Sequence, residues 1–326
     1  MTRAVVPSKV DYVYATLIVV AVLWGSATGL LLPRAAYRLS VEPETAYRDS
    51  CEAGHPITGP AKGWLGTAGC ATCAAAGGVV TAVGRATASP GHADAGEAAL
   101  PRTDRAPASD TDTDASDVTD TGSGIDTDAD TADSSAAAPQ PVLRGARYAP
   151  SRYVTLVTAL VCAVLAAATG PHPELVVWLL LAPFAVLLAL VDRNVHRLPD
   201  QLTLPLAVAS AGLLGIAALL PADGGSWPTA LLGGLVLGAC YFVLFLINPN
   251  GMGFGDVKLA LSLGVVLGWY GWLVLFVGAF AGFLLGSLYG LGLMILRRAN
   301  RKSAIPFGPF MIAGALLGVL LGALAV

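Results

Sequence analysis

The chain has 326 residues, 55% of them hydrophobic and only 13% charged, with a mean hydropathy of +0.67 and a formal net charge of -3. An ordinary soluble domain carries about 25% charged residues, so this composition excludes one, and it equally excludes a wholly disordered chain. The small net charge hides a segregation: 12 of the 22 acidic residues lie between Asp94 and Asp133, where only Arg102 and Arg105 are basic, leaving 10 acids against 17 bases elsewhere.

A bilayer-crossing helix needs about 20 mainly apolar residues, with a lower limit near 17. The first such run is Tyr12 to Leu32. Arg3 and Lys9 precede it, as they would in a cleaved signal peptide, but its length and the immediate Arg34 and Arg38 favour an uncleaved anchor. From Ala86 to Pro141 the sequence alternates Asp, Thr, Ala and Ser with almost no aliphatic or aromatic residues. Such a stretch cannot bury enough surface to offset chain entropy and reads as a disordered tether.

Six further runs follow: Tyr153 to Gly170, Leu175 to Val191, Leu202 to Leu220, Pro228 to Ile247, Trp272 to Leu296 and Phe310 to Val326. Val257 to Trp269 is short, yet Lys258 stands at its start and Arg297, Arg298, Arg301 and Lys302 follow the next span. If both basic flanks share one side, the stretch between them must cross twice. The expected fold is therefore an all-α polytopic membrane protein of about eight transmembrane helices with a disordered cytoplasmic insert. With the first long loop inside, 17 of the 19 Lys and Arg residues are cytoplasmic, as the positive-inside rule requires. Gly278, Gly282, Gly286 and Gly290, and then Gly314, Gly318 and Gly322, recur every four residues and read as faces for close helix packing.

Between Ser151 and Val326 there are only five acids: Glu174, Asp192, Asp200, Asp223 and Asp256. Ionisable groups at membrane depth are costly and point to function. Glu174 and Asp223 fall in outer turns and read as solvated loop charges. Asp200 follows Pro199 at a helix start, where capping competes with a site-ordering role. Asp256 also precedes a helix start, but it ends Gly251-Met252-Gly253-Phe254-Gly255-Asp256, whose alternating glycines allow unusual backbone and close approach. Asp192 closes an apolar run at a helix C-terminus, where the macrodipole disfavours an anion. Two such carboxyls facing each other in low dielectric cannot easily both ionise, so one keeps a proton while the other activates water.

Leu190-Val191-Asp192, Arg197-Leu198-Pro199-Asp200-Gln201-Leu202-Thr203-Leu204-Pro205 and Gly253-Phe254-Gly255-Asp256-Val257-Lys258-Leu259 together resemble the bacterial prepilin peptidases, or type IV leader peptidases. These are intramembrane aspartic proteases of the Gly-x-Gly-Asp type. Ile305-Pro306-Phe307-Gly308-Pro309-Phe310 is similar to that family's stretch before its last span. The resemblance covers Ser151 to Val326. It implies that Asp192 and Asp256 are catalytic and that Asp200, Gly253, Gly255 and Lys258 order the site or bind substrate. The implied reaction removes short basic leaders from prepilins or pseudopilins, after a glycine, at the cytoplasmic face of a bacterial plasma membrane.

The first 85 residues resemble the family more loosely, through Gly25-Ser26, Pro33-Arg34 and Tyr37-Arg38-Leu39. Many members carry two Cys-x-x-Cys pairs in the following loop, suited to tetrahedral zinc. Here the first pair is broken, and Cys51 with His55 would complete a Cys3His set with Cys70 and Cys73. Proteolysis itself implies no cofactor. Structural zinc is a candidate, and S-adenosylmethionine would be needed if the family's N-methylation of the new terminus is retained. Cys162 and Cys240 lie inside spans and read as packing residues.

The implied domains are residues 1–33 as first transmembrane helix, 34–85 as a cytoplasmic Cys-containing loop, 86–150 as the linker and 151–326 as a seven-helix peptidase domain. Partners are prepilin-like substrates and the lipid bilayer, with no nucleic acid. Two other classes fit less of the sequence. An ion-coupled secondary transporter would use Asp192 and Asp256 near the midplane rather than at span ends. A catalytically inactive pilus assembly factor would have no need of both aspartates.

Overall fold

The computed structural model describes residues 9–41, 45–67, 69–75, 151–196, 198–221, 224–249, 252–296 and 306–326. The Asp-rich stretch read as a linker lies outside them. Among the described residues eight long helices form: α1 (Lys9–Leu39), α2 (Ser151–Thr169), α3 (Glu174–Val195), α4 (Asp200–Ala217), α5 (Trp227–Ile247), α6 (Phe254–Gly268), α7 (Trp272–Ile295) and α8 (Gly308–Ala325). Seven of these, all but α6, are long and apolar enough to cross a membrane. The chain is a multi-pass helical membrane protein.

The eighth, α6, has 15 residues and a length of about 22 Å, short of a hydrocarbon core of about 30 Å. Its burial explains how so short a helix is accommodated. Ten of its residues are buried, from Asp256 to Gly268, whereas the 24-residue α7 buries only Leu275, Gly278 and Gly282. Helix α6 packs against α4, α5, α7 and α8. It is an internal helix screened from lipid by its neighbours, so its ends are not obliged to reach both interfaces.

Glycine sets how closely these helices approach. A Cβ on Gly264 would lie 2.8 Å from Gly234 Cα, and one on Gly268 would lie 2.6 Å from Thr229 O, which joins α6 to α5 backbone to backbone. Gly282 and Gly314 do the same for α7 and α8, and Gly25 and Gly29 bring α1 onto Thr158 and Thr155 of α2. This is the small-residue packing expected between membrane helices.

Three local expectations need correction. Helix α1 does not stop near Leu32. It runs through Pro33 to Leu39, 31 residues or about 46 Å, because Arg34 and Arg38 find partners beyond the apolar run. Asp256 is not the residue before a helix: α6 begins at Phe254, and Asp256 sits in its first turn.

The third correction concerns Glu174. It is not a solvated loop charge but is 2% exposed at the first turn of α3. Gly224 lies so close that even a Cβ there would overlap the carboxylate, at 2.5 Å from Oε2. Beside it, Trp178 Nε1 donates to Tyr270 Oη at 3.2 Å, and Ser226 N donates to Trp269 O at 2.9 Å. The turns at this end of the bundle are thus drawn over the acid rather than leaving it in water.

Candidate active site and cysteine-histidine cluster

Asp192 stands one turn from the C-terminus of α3. His196 closes that helix with φ +52°, its N-H donating to Asp192 O at 2.7 Å, so the chain reverses directly after the acid. The side chain is 3% exposed, and its Oδ2 accepts the Gly308 backbone N-H at 2.9 Å. Gly308 is the first residue of α8, so the carboxyl meets the positive end of a helix dipole. A Cβ on Gly308 would lie 2.8 Å from Oδ2 and 3.1 Å from Cγ of Asp192. Only glycine leaves this contact undisturbed.

Asp256, 8% exposed in the first turn of α6, donates its backbone N-H to Gly253 O at 3.0 Å, and its carboxyl lies within electrostatic reach of Asp192. Two acids separated by 64 positions in sequence are therefore brought together by α3 and α6. Neither Gly253, at φ -72°, nor Gly255 uses glycine-only backbone angles. Gly255 provides space instead: a Cβ there would meet Leu198 Cβ at 2.9 Å. The loop before Asp200 is thereby packed onto the helix that carries Asp256.

Lys258 and Asp200 pair with each other, Nζ to Oδ2 at 2.6 Å, and the ammonium also stands 4.8 Å over the Phe254 ring. Asp200 makes no side-chain cap and is 63% exposed. The pair ties the start of α4 to α6 at the rim of the site. The acid is exposed but the lysine side chain is only 15% exposed, so the pair fixes the register of α4 on α6 from a partly buried position.

Two contributors were not evident from sequence. Gly308 lay in a recognised motif, but nothing in the motif alone pointed to a hydrogen bond with Asp192. Tyr241 of α5 is 2% exposed, within electrostatic reach of Asp256, and its ring packs against Phe283 at 5.4 Å and Phe307 at 6.3 Å. A lone tyrosine in an apolar run gives no comparable sequence signal.

The segment after α1 gathers the other predicted group. Ser50 and Pro56 form a single antiparallel bridge, and Cys51 N donates to His55 O at 2.9 Å. The ligand atoms of Cys51, His55, Cys70 and Cys73 all lie within 4.8 Å of one another. Cys51 Sγ is 3.8 Å from Cys73 Sγ and 3.6 Å from His55 Nδ1, and His55 Nδ1 is 3.2 Å from Cys73 Sγ. Metal–ligand lengths of about 2.3 Å to sulfur and 2.0–2.1 Å to nitrogen place tetrahedral donors about 3.5–3.8 Å apart, so three thiols and one imidazole fit zinc here. The Cys70 thiol is drawn down to about 6, chiefly by the Cys73 backbone N-H, while burial pushes the Cys73 thiol up to about 11. Cys162 is fully buried within α2 and takes no part.

This segment is anchored to the helices. Arg34 Nη1 donates to Thr58 O and Arg38 Nη1 to Lys62 O, each at 2.8 Å, and the Arg38 guanidinium lies 4.4 Å over Trp64. Asn194, two residues after Asp192, donates to Ser40 Oγ at 3.2 Å, and Tyr47 Oη bonds Gln201 Oε1 beside Asp200. The cysteine-histidine segment therefore touches both strands of chain that flank Asp192 and Asp200.

Comparison with known proteins gives a consistent assignment for the part of the chain that carries the acids. Residues 179–295 match the type IV leader peptidase family. A prepilin leader peptidase/N-methyltransferase of Aeromonas salmonicida is 36% identical over 170 residues, covering 52% of this chain and 57% of that protein. Proteins of the same name from Pseudomonas putida and Bacillus subtilis are 34% and 30% identical, covering 56% and 64% of their own lengths. The chain spans between about half and two thirds of the curated relatives it matches. No solved structure matches. The matched segment includes Asp192, Asp200, Asp256 and Lys258, so the similarity to the type IV leader peptidase family falls on the residues that line the candidate site.

Proposed function

We propose that the protein is an intramembrane aspartic endopeptidase in which Asp192 and Asp256 hydrolyse a peptide bond at one end of the helical bundle. The observation that carries the reading is the meeting of these two buried acids from different helices, one of them held by the Gly308 N-H. Two buried carboxyls within electrostatic reach of one another do not readily both ionise, so one is protonated while the other is charged. The ionised one takes a proton from water, the resulting hydroxide attacks the scissile carbonyl carbon, and the protonated one donates to the leaving amine as the C–N bond breaks.

The substrates are prepilin-like proteins, the class named for the relatives, whose short basic leader precedes an apolar helix. Cleavage falls after a glycine at the cytoplasmic face of the plasma membrane. The distribution of Lys and Arg supports that side: Arg193 and Arg197 lie between Asp192 and Asp200, and Lys258 stands two residues after Asp256. Cys51, His55, Cys70 and Cys73 hold a structural zinc, and Gly253, Gly255, Asp200 and Lys258 order the site. Incubation of the purified protein with a prepilin, followed by mass spectrometry of the substrate's N-terminus, tests the reading. A single cut after glycine is expected, and an unprocessed prepilin would refute it. The same spectrum reports N-methylation when S-adenosylmethionine is supplied.

A further inference from the structure

Among the described residues a large cavity runs from beside the aspartate end of the bundle into its interior. It has a volume of about 840 Å³ and lies among α2, α3, α4, α6 and α8. At one end it is lined by Arg193, Asn194 and Pro309, the immediate neighbours of Asp192 and Gly308. At the other it reaches Trp178 of α3 and Val319 of α8. From Trp178 to Asn194 it follows α3 for about 24 Å, most of the thickness of a hydrocarbon core. Beyond the aspartate end its wall is almost wholly apolar, and Ser210 and Ser262 are among its few polar residues.

We propose that this cavity is the berth for the apolar helix of the substrate, the segment that follows the scissile bond. The inference rests on the peptidase reading and adds where the rest of the substrate lies. Continuity identifies the occupant: a polypeptide whose scissile carbonyl sits at Asp192 must continue somewhere, and the cavity begins at that residue's own helical turn. Its apolar wall admits a membrane helix and rejects a charged leader, which is left on the polar side of the carboxyl pair.

The cavity is open along one side, where Tyr153 and Val157 of α2 on its margin are 70% and 49% exposed. Only one face of the helix enters, and the opposite face remains against lipid. On the floor, Ala182, Ala185 and Ala189 recur along one side of α3 and face Ala313 and Leu316 of α8 across the same space. Small side chains there let a visiting backbone approach closely, as the fixed helices of this bundle do at their glycines.

The test uses two substrates. One is a full prepilin in detergent or bilayer. The other is a short peptide with the leader, the cleavage site and only a few residues beyond it. Ala185→Trp, two turns from Asp192, and Ala313→Trp on α8 fill the cavity without touching the carboxyls. Each is expected to raise KM for the prepilin at least tenfold while leaving cleavage of the short peptide within about twofold. Equal effects on the two substrates, or none on either, would overturn the berth. Failure of the unaltered protein to cut either substrate would instead defeat the peptidase reading.

A variant that lost both activities through misfolding is covered by a second measurement. Ala185→Cys is expected to cross-link, through a bismaleimide, to a cysteine placed two turns beyond the substrate's cleavage site. Phe184→Cys, on the 49% exposed neighbouring position, should not. Cross-linking at Phe184→Cys equal to or exceeding that at Ala185→Cys would place the substrate helix elsewhere and leave the cavity to lipid.

Discussion

Helix α3 buries a carboxyl group at each of its ends, Glu174 at 2% exposure and Asp192 at 3%, about 27 Å apart. Their surroundings differ in every other respect. Asp192 has a second acid within reach, a backbone donor from α8 and a cavity at its side. Glu174 has the favourable positive end of its own helix, but its Oε2 is unpartnered, as are the nearby Thr169 Oγ1 and Trp269 Nε1. No second acid joins it among the described residues. Burial of a carboxyl therefore does not distinguish a reactive end from a structural one. Pairing, a donor for the anion and a route for substrate do.

The largest effect should separate the two ends by chemistry. Asp192→Asn and Asp256→Asn are each expected to slow cleavage at least about a hundredfold, the lower range for losing a general acid or base. Glu174→Gln should leave the rate within about twofold in the same assay. A comparable loss at Glu174 would remove the distinction.

Gly308→Ala sharpens the comparison at Asp192 alone. The added Cβ, 2.8 Å from Oδ2, pushes the carboxyl from its N-H donor. Loss of a hydrogen bond to a charged group costs about 1.5–3 kcal/mol, or about 10- to 150-fold. The fall should appear in kcat for the short peptide, with the thermal transition lowered by a few degrees.

The next effect concerns the cysteine-histidine segment, which contacts the aspartate end through Asn194 and Gln201. Chelation or Cys70→Ser should release one zinc per chain, read by atomic emission. The melting temperature should fall while proteolysis is reduced only partly, since the set belongs to the segment after α1 and the carboxyls to α3 and α6. A protein isolated without zinc and unaffected by Cys70→Ser would contradict a structural metal. Smallest of all, Asp200→Ala breaks the half-exposed ion pair with Lys258 and should cost cleavage about fivefold or less.

Much of the fold was legible because membrane insertion writes itself into long apolar runs, seven of which are helices long enough to cross. The two aspartate motifs were legible because charged residues are so scarce after Ser151. What stayed hidden depends on packing across the sequence. Glu174 looked like a loop charge because nothing local announces that Gly224, 50 positions later, will close over it. The start of α6 was misjudged by three residues because Gly253 and Gly255 suggested unusual backbone, whereas Gly255 serves to admit Leu198. Tyr241 gave no signal at all, since its relation to Asp256 exists only once α5 and α6 pack together.

The central claim is that Asp192 and Asp256 act as one hydrolytic site. Its most direct test is coexpression of a prepilin with the unaltered protein, with Asp192→Asn and with Asp256→Asn, followed by mass spectrometry of the substrate's N-terminus. The account predicts leaderless pilin with the unaltered protein and intact prepilin with each variant. Normal processing by either variant would contradict it.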